Sequence, residues 1–140
     1  DAWLVEGNLQ LLKELLPQCS FVFCNQDEAR TFTGKSDPDE AFESLLTVVS
    51  GAAMTSGREG ARYSWKGERG HVPGFDCLAV DTTGAGDMFA GAMLYGMCQN
   101  IPMEHAVRGA CGLAARVVAQ PGARLAGDVR AAWLQTKQTE

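Results

Sequence analysis

A short glycine-rich segment, residues 81–87, carries the side chains best suited to chemistry in this sequence. It reads Asp-Thr-Thr-Gly-Ala-Gly-Asp and lies between an apolar run at 78–80 and a predicted helix over 87–98. The small residues Gly84, Ala85 and Gly86 let backbone N–H groups approach an anion, and a helix N-terminus adds partial positive charge. This arrangement suits the charge that develops on a transferring phosphoryl group. Asp87 would lie inside this anion site, where a carboxylate repels phosphate. That cost is explained if Asp87 is the base that takes the proton of an attacking hydroxyl.

The residues alone leave a plainer interpretation open, in which the segment is a glycine-rich turn and Asp87 caps the helix. A dinucleotide-binding loop fits less well, since the glycines from Gly84 onward are spaced G-x-G-x-x-x-x-G rather than G-x-G-x-x-G. A Walker A phosphate loop also fits poorly. Gly34-Lys35-Ser36 supplies its last three residues, but Ala29 stands where its first glycine belongs.

The elements that would position this segment follow from apolar patterning and from Gly and Pro. The first third alternates strand-like and helix-like pieces, beginning with an apolar run at 3–5 and a helix over 9–16 that Pro17 ends. A strand at 20–24, helices at 26–32 and 38–48 and a weak strand at 51–55 follow. Further on, the pattern predicts a hairpin turning at Gly67-Glu68, a short strand at 78–80 and helices at 87–98, 102–119 and 127–135. Strands that alternate with helices predict an α/β fold with a mostly parallel sheet.

Two further polar segments, 25–28 and 55–60, also follow predicted strands. Ligands of such sheets collect at the carboxyl ends of the strands, where loops lead into helix N-termini. All three polar segments are therefore expected to face one crevice.

Composition narrows the class of protein. The chain has 140 residues, a mass of 15.0 kDa and a net charge of −5, from 12 Lys+Arg and 17 Asp+Glu. A mildly acidic chain without a basic cluster argues against binding to nucleic acid or an anionic membrane, and no apolar run reaches the roughly 20 residues of a bilayer span. The 5 cysteines are irregularly spaced, which favours reduced thiols in a cytoplasmic protein over a disulfide framework or a zinc site. The start at Asp1 without Met suggests a chain cut from a longer one.

Residues 81–94 resemble the C-terminal signature of the ribokinase-like (PfkB) family of sugar and nucleoside kinases at every constrained position of that signature. Asn25-Gln26-Asp27-Glu28 matches the N-x-x-E motif of the family, and residues 55–60 match its nucleotide loop, T-x-G-x-x-G. Gly122-Ala123 matches the small pair after the penultimate helix. Several local patterns, such as Phe32-Thr33-Gly34, look most like bacterial adenosine-kinase-like members.

The resemblance implies a three-layer, Rossmann-like ribokinase fold with a mostly parallel sheet. Residues 1–140 would be the C-terminal, nucleotide-binding part of a single domain, and the N-terminal acceptor-binding half and the lid would lie outside this chain. The implied activity is ATP-dependent phosphoryl transfer to a hydroxyl of a sugar or nucleoside. The acceptor would be of the adenosine kinase type or of the ribokinase and fructokinase type. The isolated chain would then be inactive, and a homodimer is conceivable for the full-length protein.

The resemblance also assigns roles to single residues. Asp87 would be the catalytic base, and the backbone of Gly84, Ala85 and Gly86 would form the anion hole. Asn25 would reach the phosphates, and Glu28 would help to hold Mg²⁺ through water. For Asn25 and Glu28, a helix cap and a solvated first-turn acid are the plainer interpretation.

The remaining implied roles concern the nucleotide and a monovalent cation. The nucleotide would be lined by Thr55, Ser56, Gly57 and Gly60, with Cys111 at the adenine pocket. Cys111 also fits a buried small apolar residue. Asp81, Thr83 and Gly122 match a potassium loop found in many members, although Asp81 could equally brace the turn.

The rival from another class is a non-catalytic nucleotide-binding module of the same fold. ATP consumption with a panel of sugars and nucleosides would separate the two. A dinucleotide-dependent oxidoreductase, the third possibility, predicts NAD(P) binding in a titration.

Overall fold

The computed structural model describes residues 1–136 and shows a mixed α/β chain, which confirms the predicted fold class. The strands are β1 (Val22–Asn25), β2 (Ala52–Thr55), β3 (Ala61–Trp65) and β4 (Glu68–Val72). The helices are α1 (Ala2–Gly7), α2 (Leu9–Leu15), α3 (Gln26–Thr33), α4 (Pro38–Leu46), α5 (Ala85–Cys98), α6 (Met103–Val118) and α7 (Val129–Gln135). Short 3-10 turns occupy Leu16–Gln18 and Gly57–Glu59. The chain divides into two compact units, residues 1–56 with 62–69 and residues 57–61 with the chain from Gly70 onward.

The strands form one sheet in the order β1-β2-β3-β4. β1 and β2 run parallel, with Val22 opposite Ala52 and Asn25 opposite Thr55. The hairpin of β3 and β4 completes the sheet. Its two strands run antiparallel, because a connection of two residues allows no other direction. The parallel pair is the part of the sheet that positions polar residues, since both of its strands end at the same edge.

The core of the first unit lies between this parallel pair and the helices α3 and α4. Ala29, Phe42, Leu45 and Met54 are buried there, and Val22 packs against them. Asp37 caps α4 by accepting hydrogen bonds from the first-turn N–H groups, with Pro38 at the first helical position.

The weak strand predicted at 51–55 is confirmed as β2, and its small residues have a packing reason. A Cβ on Gly51 would overlap the ring of Trp65 and lie 2.8 Å from the ring of Phe21. Ala52 and Ala53, the next two residues, are fully buried. The aromatic rings therefore leave no room for a side chain at Gly51, directly before β2.

The predicted hairpin forms, but its turn is one residue earlier than expected. The turn residues are Lys66 and Gly67, with φ of 48° and 87°, rather than Gly67 and Glu68. Positive φ at both central positions defines a type I′ turn, which matches the right-handed twist of the flanking strands. Ion pairs join Arg62 to Asp39 and Arg69 to Glu43, so both hairpin strands are linked to α4.

The second unit contains α5, α6 and α7, which meet through small residues. A Cβ on Gly96 of α5 would lie 2.6 Å from the Cβ of Ala106 in α6, and one on Gly109 would overlap the Trp133 ring. The side chains buried around these contacts are Phe89, Met93, Leu113, Val117 and Trp133. Close backbone approach lets this unit bury large side chains around two long helices.

Two further sequence predictions are wrong. The apolar run at 3–5, interpreted among the strand-like pieces, belongs to helix α1, because three apolar residues are too few to distinguish a helix from a strand. Residues 78–80 are not a strand, and the exposed fraction of Leu78 is 80 %. A strand forms only beside a partner strand, and no strand within residues 1–136 pairs with this run. The Val80 N–H instead donates a hydrogen bond to the Val118 carbonyl at 2.8 Å. No helix in the described part of the chain could cross a bilayer.

Candidate functional site

The N-terminus of α5 presents unpaired backbone donors, although the predicted donor at Ala85 already has a partner within the chain. Gly84 is the N-cap residue and has a φ of 79°, which favours glycine. The Ala85 N–H donates to the Thr82 carbonyl at 3.3 Å. The N–H groups of Gly86 and Asp87 have no hydrogen-bond partner among residues 1–136, and a Cβ on Gly86 would meet open space. Two donors at the start of a 14-residue helix are therefore free to bind an anion.

Asp87 lies in the first turn of this helix and is exposed. Its carboxylate forms no hydrogen bond or ion pair with the rest of the described chain, so it does not serve as a side-chain cap. The structure thus places an accessible carboxylate next to two accessible amide donors. A carboxylate and amide donors are the groups needed to deprotonate a hydroxyl and to stabilise a nearby anion.

The loop before α5 is held by the chain near residue 122. Asp81 accepts one hydrogen bond from the Thr83 N–H at 2.9 Å and another from the Gly122 N–H at 3.0 Å. Bonds from the Thr83 hydroxyl, the Thr83 N–H and the Gly122 N–H lower the pKa of Asp81 below its usual value. The Asp81 N–H donates to the Val118 carbonyl. Asp81 therefore braces the turn, which is one of the two roles that the sequence allows for it, beside that of a potassium ligand.

Gly84 makes the closest contact between these segments. A Cβ at this position would overlap the Ala123 carbonyl oxygen and lie 2.8 Å from the Ala123 Cβ. The backbone of Gly84 can therefore reach its left-handed conformation and its position against Ala123 only because it has no side chain. Gly84 and Ala123, both singled out by the sequence, form one contact.

In the first unit, Asn25 and Glu28 form a reciprocal cap at the start of α3. The Asn25 side-chain oxygen accepts from the Glu28 N–H at 2.9 Å, and Glu28 Oε2 accepts from the Asn25 N–H at 2.8 Å. This is a capping box, the plainer interpretation of both residues.

Thr55 and Ser56 lie at the end of β2, beside the end of β1. Thr55 is the register partner of Asn25, and its hydroxyl lies 3.5 Å from the Cys24 carbonyl, at the outer limit of a hydrogen bond. Two of the three predicted polar segments thus meet at one sheet edge. Ser56 is 6 % exposed, and its hydroxyl has no partner among residues 1–136. A buried hydroxyl without a partner is unfavourable, so a ligand that bonds to Ser56 would offset that cost.

The two glycines of the segment 57–60 have different surroundings. Gly57, with a φ of 56°, faces open space. Gly60 is buried with a φ of 92°, and a Cβ there would overlap the Val72 carbonyl oxygen and lie 2.5 Å from the Gly74 nitrogen. Gly60 therefore lets the chain at 60 and at 72–74 approach each other, while Gly57 leaves room beside its backbone.

Sequence reasoning missed a contact to this same segment. The ring nitrogen Nε2 of His71 lies 2.7 Å from the Glu59 carbonyl oxygen. A contact between His71 and a backbone oxygen 12 residues away leaves no pattern in side-chain types.

The remaining predicted residues are less suited to direct chemistry. Cys111 is buried in α6, and burial raises the pKa of its thiol to about 12, which fits a small apolar residue. No group of three or more His, Cys, Asp or Glu side chains that could hold a metal occurs among residues 1–136. Any metal held by Glu28 would accordingly take most of its ligands from water or substrate.

The family model for "pfkB family carbohydrate kinase" matches residues 4–129. The chain therefore belongs to the PfkB family of carbohydrate kinases, and the resemblance carried by residues 25–28, 55–60 and 81–94 is confirmed.

Individual relatives are sugar and nucleoside kinases. The chain is 35 % identical to fructokinase-2 of Zea mays over 106 residues, covering 71 % of the chain and 29 % of the relative. Its fold matches the adenosine kinase from Sinorhizobium meliloti with a TM-score of 0.90 and 30 % identity, over 96 % of the chain and 42 % of that protein. It also matches a fructokinase from Vibrio cholerae O395, solved with fructose, ADP and calcium ion, with a TM-score of 0.79 and 25 % identity over 91 % and 44 %. The chain thus spans less than half the length of each of these relatives.

Proposed function

We propose that this chain is the C-terminal, nucleotide-binding part of a PfkB kinase that transfers the γ-phosphoryl group of ATP to a hydroxyl of a sugar or nucleoside. The observation that carries the proposal is the pair of unpaired N–H groups at Gly86 and Asp87, beside the exposed Asp87 carboxylate. Family membership supports the reaction class, since the relatives are fructokinases and an adenosine kinase.

In the proposed reaction, the start of α5 stabilises charge and Asp87 moves a proton. The free N–H groups and the helix N-terminus attract the oxygens of the migrating phosphoryl group, where removal of one such donor typically costs about 10²–10³ in rate. Asp87 accepts the proton of the attacking hydroxyl, a contribution of about 10²–10⁴. Phosphoryl transfer needs mainly positioning and charge stabilisation, and these residues provide both.

The nucleotide would be recognised partly at the end of β2. The Ser56 hydroxyl is buried without a protein partner in the described chain, and an unsatisfied polar group of this kind costs about 1–3 kcal/mol. A ligand hydrogen bond would remove that cost. The open space beside Gly57 supports close approach of the ligand to the backbone.

Magnesium would bind with help from Glu28, and potassium stays a prediction. Glu28 keeps one oxygen on the Asn25 N–H, so it would contact Mg²⁺ through water, which Mg²⁺ retains readily. When bound, Mg²⁺ neutralises phosphate charge. At Asp81, each carboxylate oxygen already accepts one backbone N–H, so a potassium ion would have to share those oxygens.

The acceptor would be selected by an N-terminal half that lies outside these 140 residues. The share of the relatives that this chain covers, 29 % of a fructokinase and 42 % of an adenosine kinase, supports that division. Adenosine, fructose and ribose all stay candidates. A homodimer and a cytoplasmic location stay predictions.

The test compares Asp87→Asn with a matched variant, Glu104→Gln, in the full-length protein. Glu104 is also an exposed first-turn acid, but of α6. We expect Asp87→Asn to lower kcat by about 10²–10⁴ while ATP affinity changes less than threefold, and Glu104→Gln to leave both unchanged. ATP consumption would be measured with adenosine, fructose and ribose, and ATP binding by calorimetry. Near-native turnover of Asp87→Asn would exclude it as the base, and ATP binding without turnover in the unsubstituted protein would favour the non-catalytic module.

A further inference from the structure

The turn that begins the predicted nucleotide loop is held from behind by β4 and the residues after it. We propose that His71 is a positioning residue for nucleotide binding, because it fixes the turn Gly57–Glu59 through a hydrogen bond to the Glu59 carbonyl. This inference rests on the proposed function, since it takes residues 55–60 as a nucleotide loop.

The hydrogen bond has one possible direction. His71 Nε2 lies 2.7 Å from the Glu59 carbonyl oxygen, and a carbonyl oxygen only accepts. Nε2 must therefore carry the proton and donate it, so the neutral ring is held in one tautomer. This bond joins the last residue of the 3-10 turn to the fourth of the five residues of β4.

Two glycine contacts bring the same pair of segments together. A Cβ on Gly60 would overlap the Val72 carbonyl oxygen, and one on Gly74 would overlap the Arg58 carbonyl oxygen. His71 directly precedes Val72, and its hydrogen bond to Glu59 adds a side-chain contact between the glycine contacts at residues 58 and 60. The loop is therefore attached along one side from residue 58 to residue 60.

The opposite side of the turn has no comparable packing. Gly57, Arg58 and Glu59 are exposed, and a Cβ on Gly57 would find nothing within 4 Å. A 3-10 turn of three residues has few hydrogen bonds of its own. The His71 side chain donates a hydrogen bond to the backbone of this turn. Its loss should therefore let the turn move relative to a bound nucleotide.

We expect a modest effect that falls on nucleotide binding. Loss of a single, partly solvated hydrogen bond would weaken ATP binding about two- to tenfold. The chemical step would not change, because His71 touches neither the α5 N-terminus nor Asp87 in the contacts described. His71→Gln should restore most of the affinity, since the glutamine Nε2 can take the place of the histidine Nε2 as a donor.

The experiment uses the full-length protein with His71→Ala, His71→Gln and the control His105→Ala, which removes the other histidine from the exposed surface of α6. Steady-state kinetics would give KM for ATP and kcat, calorimetry would give the ATP dissociation constant, and hydrogen exchange would follow the amides of residues 57–61. We expect His71→Ala to raise both ATP constants two- to tenfold, to leave kcat unchanged and to speed exchange at 57–61. His71→Gln and His105→Ala should behave like the unsubstituted protein.

The outcomes separate this inference from the proposed function. If the unsubstituted protein binds ATP and His71→Ala binds it equally well, the positioning role is wrong and the proposed function stands. If His71→Ala lowers kcat and melting temperature together without a selective change in ATP binding, the role is merely structural and the inference is also wrong. If the unsubstituted protein binds no ATP, the proposed function fails, and the inference fails with it.

Discussion

Replacing Gly84 with alanine tests whether the loop before α5 is set by backbone geometry. Gly84 has a φ of 79°, a conformation that costs an L-residue roughly 1–2 kcal/mol. The added methyl group would also overlap the Ala123 carbonyl and lie 2.8 Å from the Ala123 Cβ. Forcing a methyl group into a filled space costs typically about 1–3 kcal/mol. Together these effects predict a loss of about 2–5 kcal/mol in the free energy of unfolding.

The matched control is Gly86→Ala, which makes the same chemical change two residues later. Gly86 is helical, and its added Cβ would meet nothing within 4 Å. Alanine in a helix is favoured over glycine by up to about 1 kcal/mol, so Gly86→Ala should be neutral or stabilising. Gly84→Asn separates the two costs, because asparagine tolerates the left-handed conformation but keeps the Cβ.

Urea unfolding followed by circular dichroism would measure all three variants. We expect Gly84→Ala to lose about 2–5 kcal/mol, equivalent to roughly 8–20 °C in Tm at about 4 °C per kcal/mol, and Gly84→Asn to lose less. A Gly84→Ala protein within about 0.5 kcal/mol of the unsubstituted protein would refute the close contact with Ala123. Equal losses in Gly84→Ala and Gly86→Ala would show that glycine content, not the position of Gly84, controls stability.

Two further predictions concern ionisation. The folded pKa of Asp81 is lowered, so its stabilising effect is present above the unfolded pKa of about 3.9 and is lost as pH falls through the lower folded pKa. In urea unfolding, the difference in stability between the unsubstituted protein and Asp81→Asn should therefore be full at about pH 6 and shrink below about pH 4. A difference that grows at low pH would contradict the brace. Burial raises the pKa of the Cys111 thiol to about 12, and desolvation together with the Glu28 carboxylate raises the pKa of the half-buried Cys24 thiol to about 12. Because about one such thiol in 10⁴ is ionised at pH 8, a disulfide reagent should modify the exposed Cys19 in native protein long before Cys24 or Cys111. Equal rates at the three thiols would contradict this prediction.

Local signals predicted the helices well. Asn25 begins α3 and Gly34 ends it in the left-handed conformation, both as expected, since capping chemistry acts within one or two turns. Pro38 marks the start of α4 in the same way. These residues determine a boundary through contacts with their own neighbours in sequence, so the sequence alone contains the information.

Strands were harder to predict because their neighbours are distant in sequence. Leu78 and Val80 have the pattern of a buried strand, yet both are exposed and no strand among residues 1–136 pairs with them. In β2, the small residues argue against a strand until the rings of Phe21 and Trp65 are known to occupy the space above Gly51. Tertiary packing therefore decides strand formation, and a single sequence does not reveal it.

The candidate site divides in the same way. The glycine-rich segment and Asp87 stand out in the sequence because small residues before a helix start have a local signature. The brace from Asp81 to Gly122 spans 41 residues, and its two interpretations could be separated only by the hydrogen bonds of the structure. The contact between His71 and Glu59 had no signature at all, because its acceptor is a backbone carbonyl.

Asp87 differs from the other candidate residues in what its local structure requires. Asn25 and Glu28 cap a helix, Asp81 joins two loops and Gly60 permits close packing, so changing any of them would alter stability. The Asp87 carboxylate has no partner in residues 1–136, and its main structural contribution is a favourable interaction with the helix dipole of about 0.3–1 kcal/mol. A carboxylate beside amide donors repels an anion that binds there. A role for the carboxylate in the reaction would explain its presence despite this repulsion. Loss of turnover with little loss of stability in Asp87→Asn is therefore the result that would distinguish a catalytic base from a structural residue.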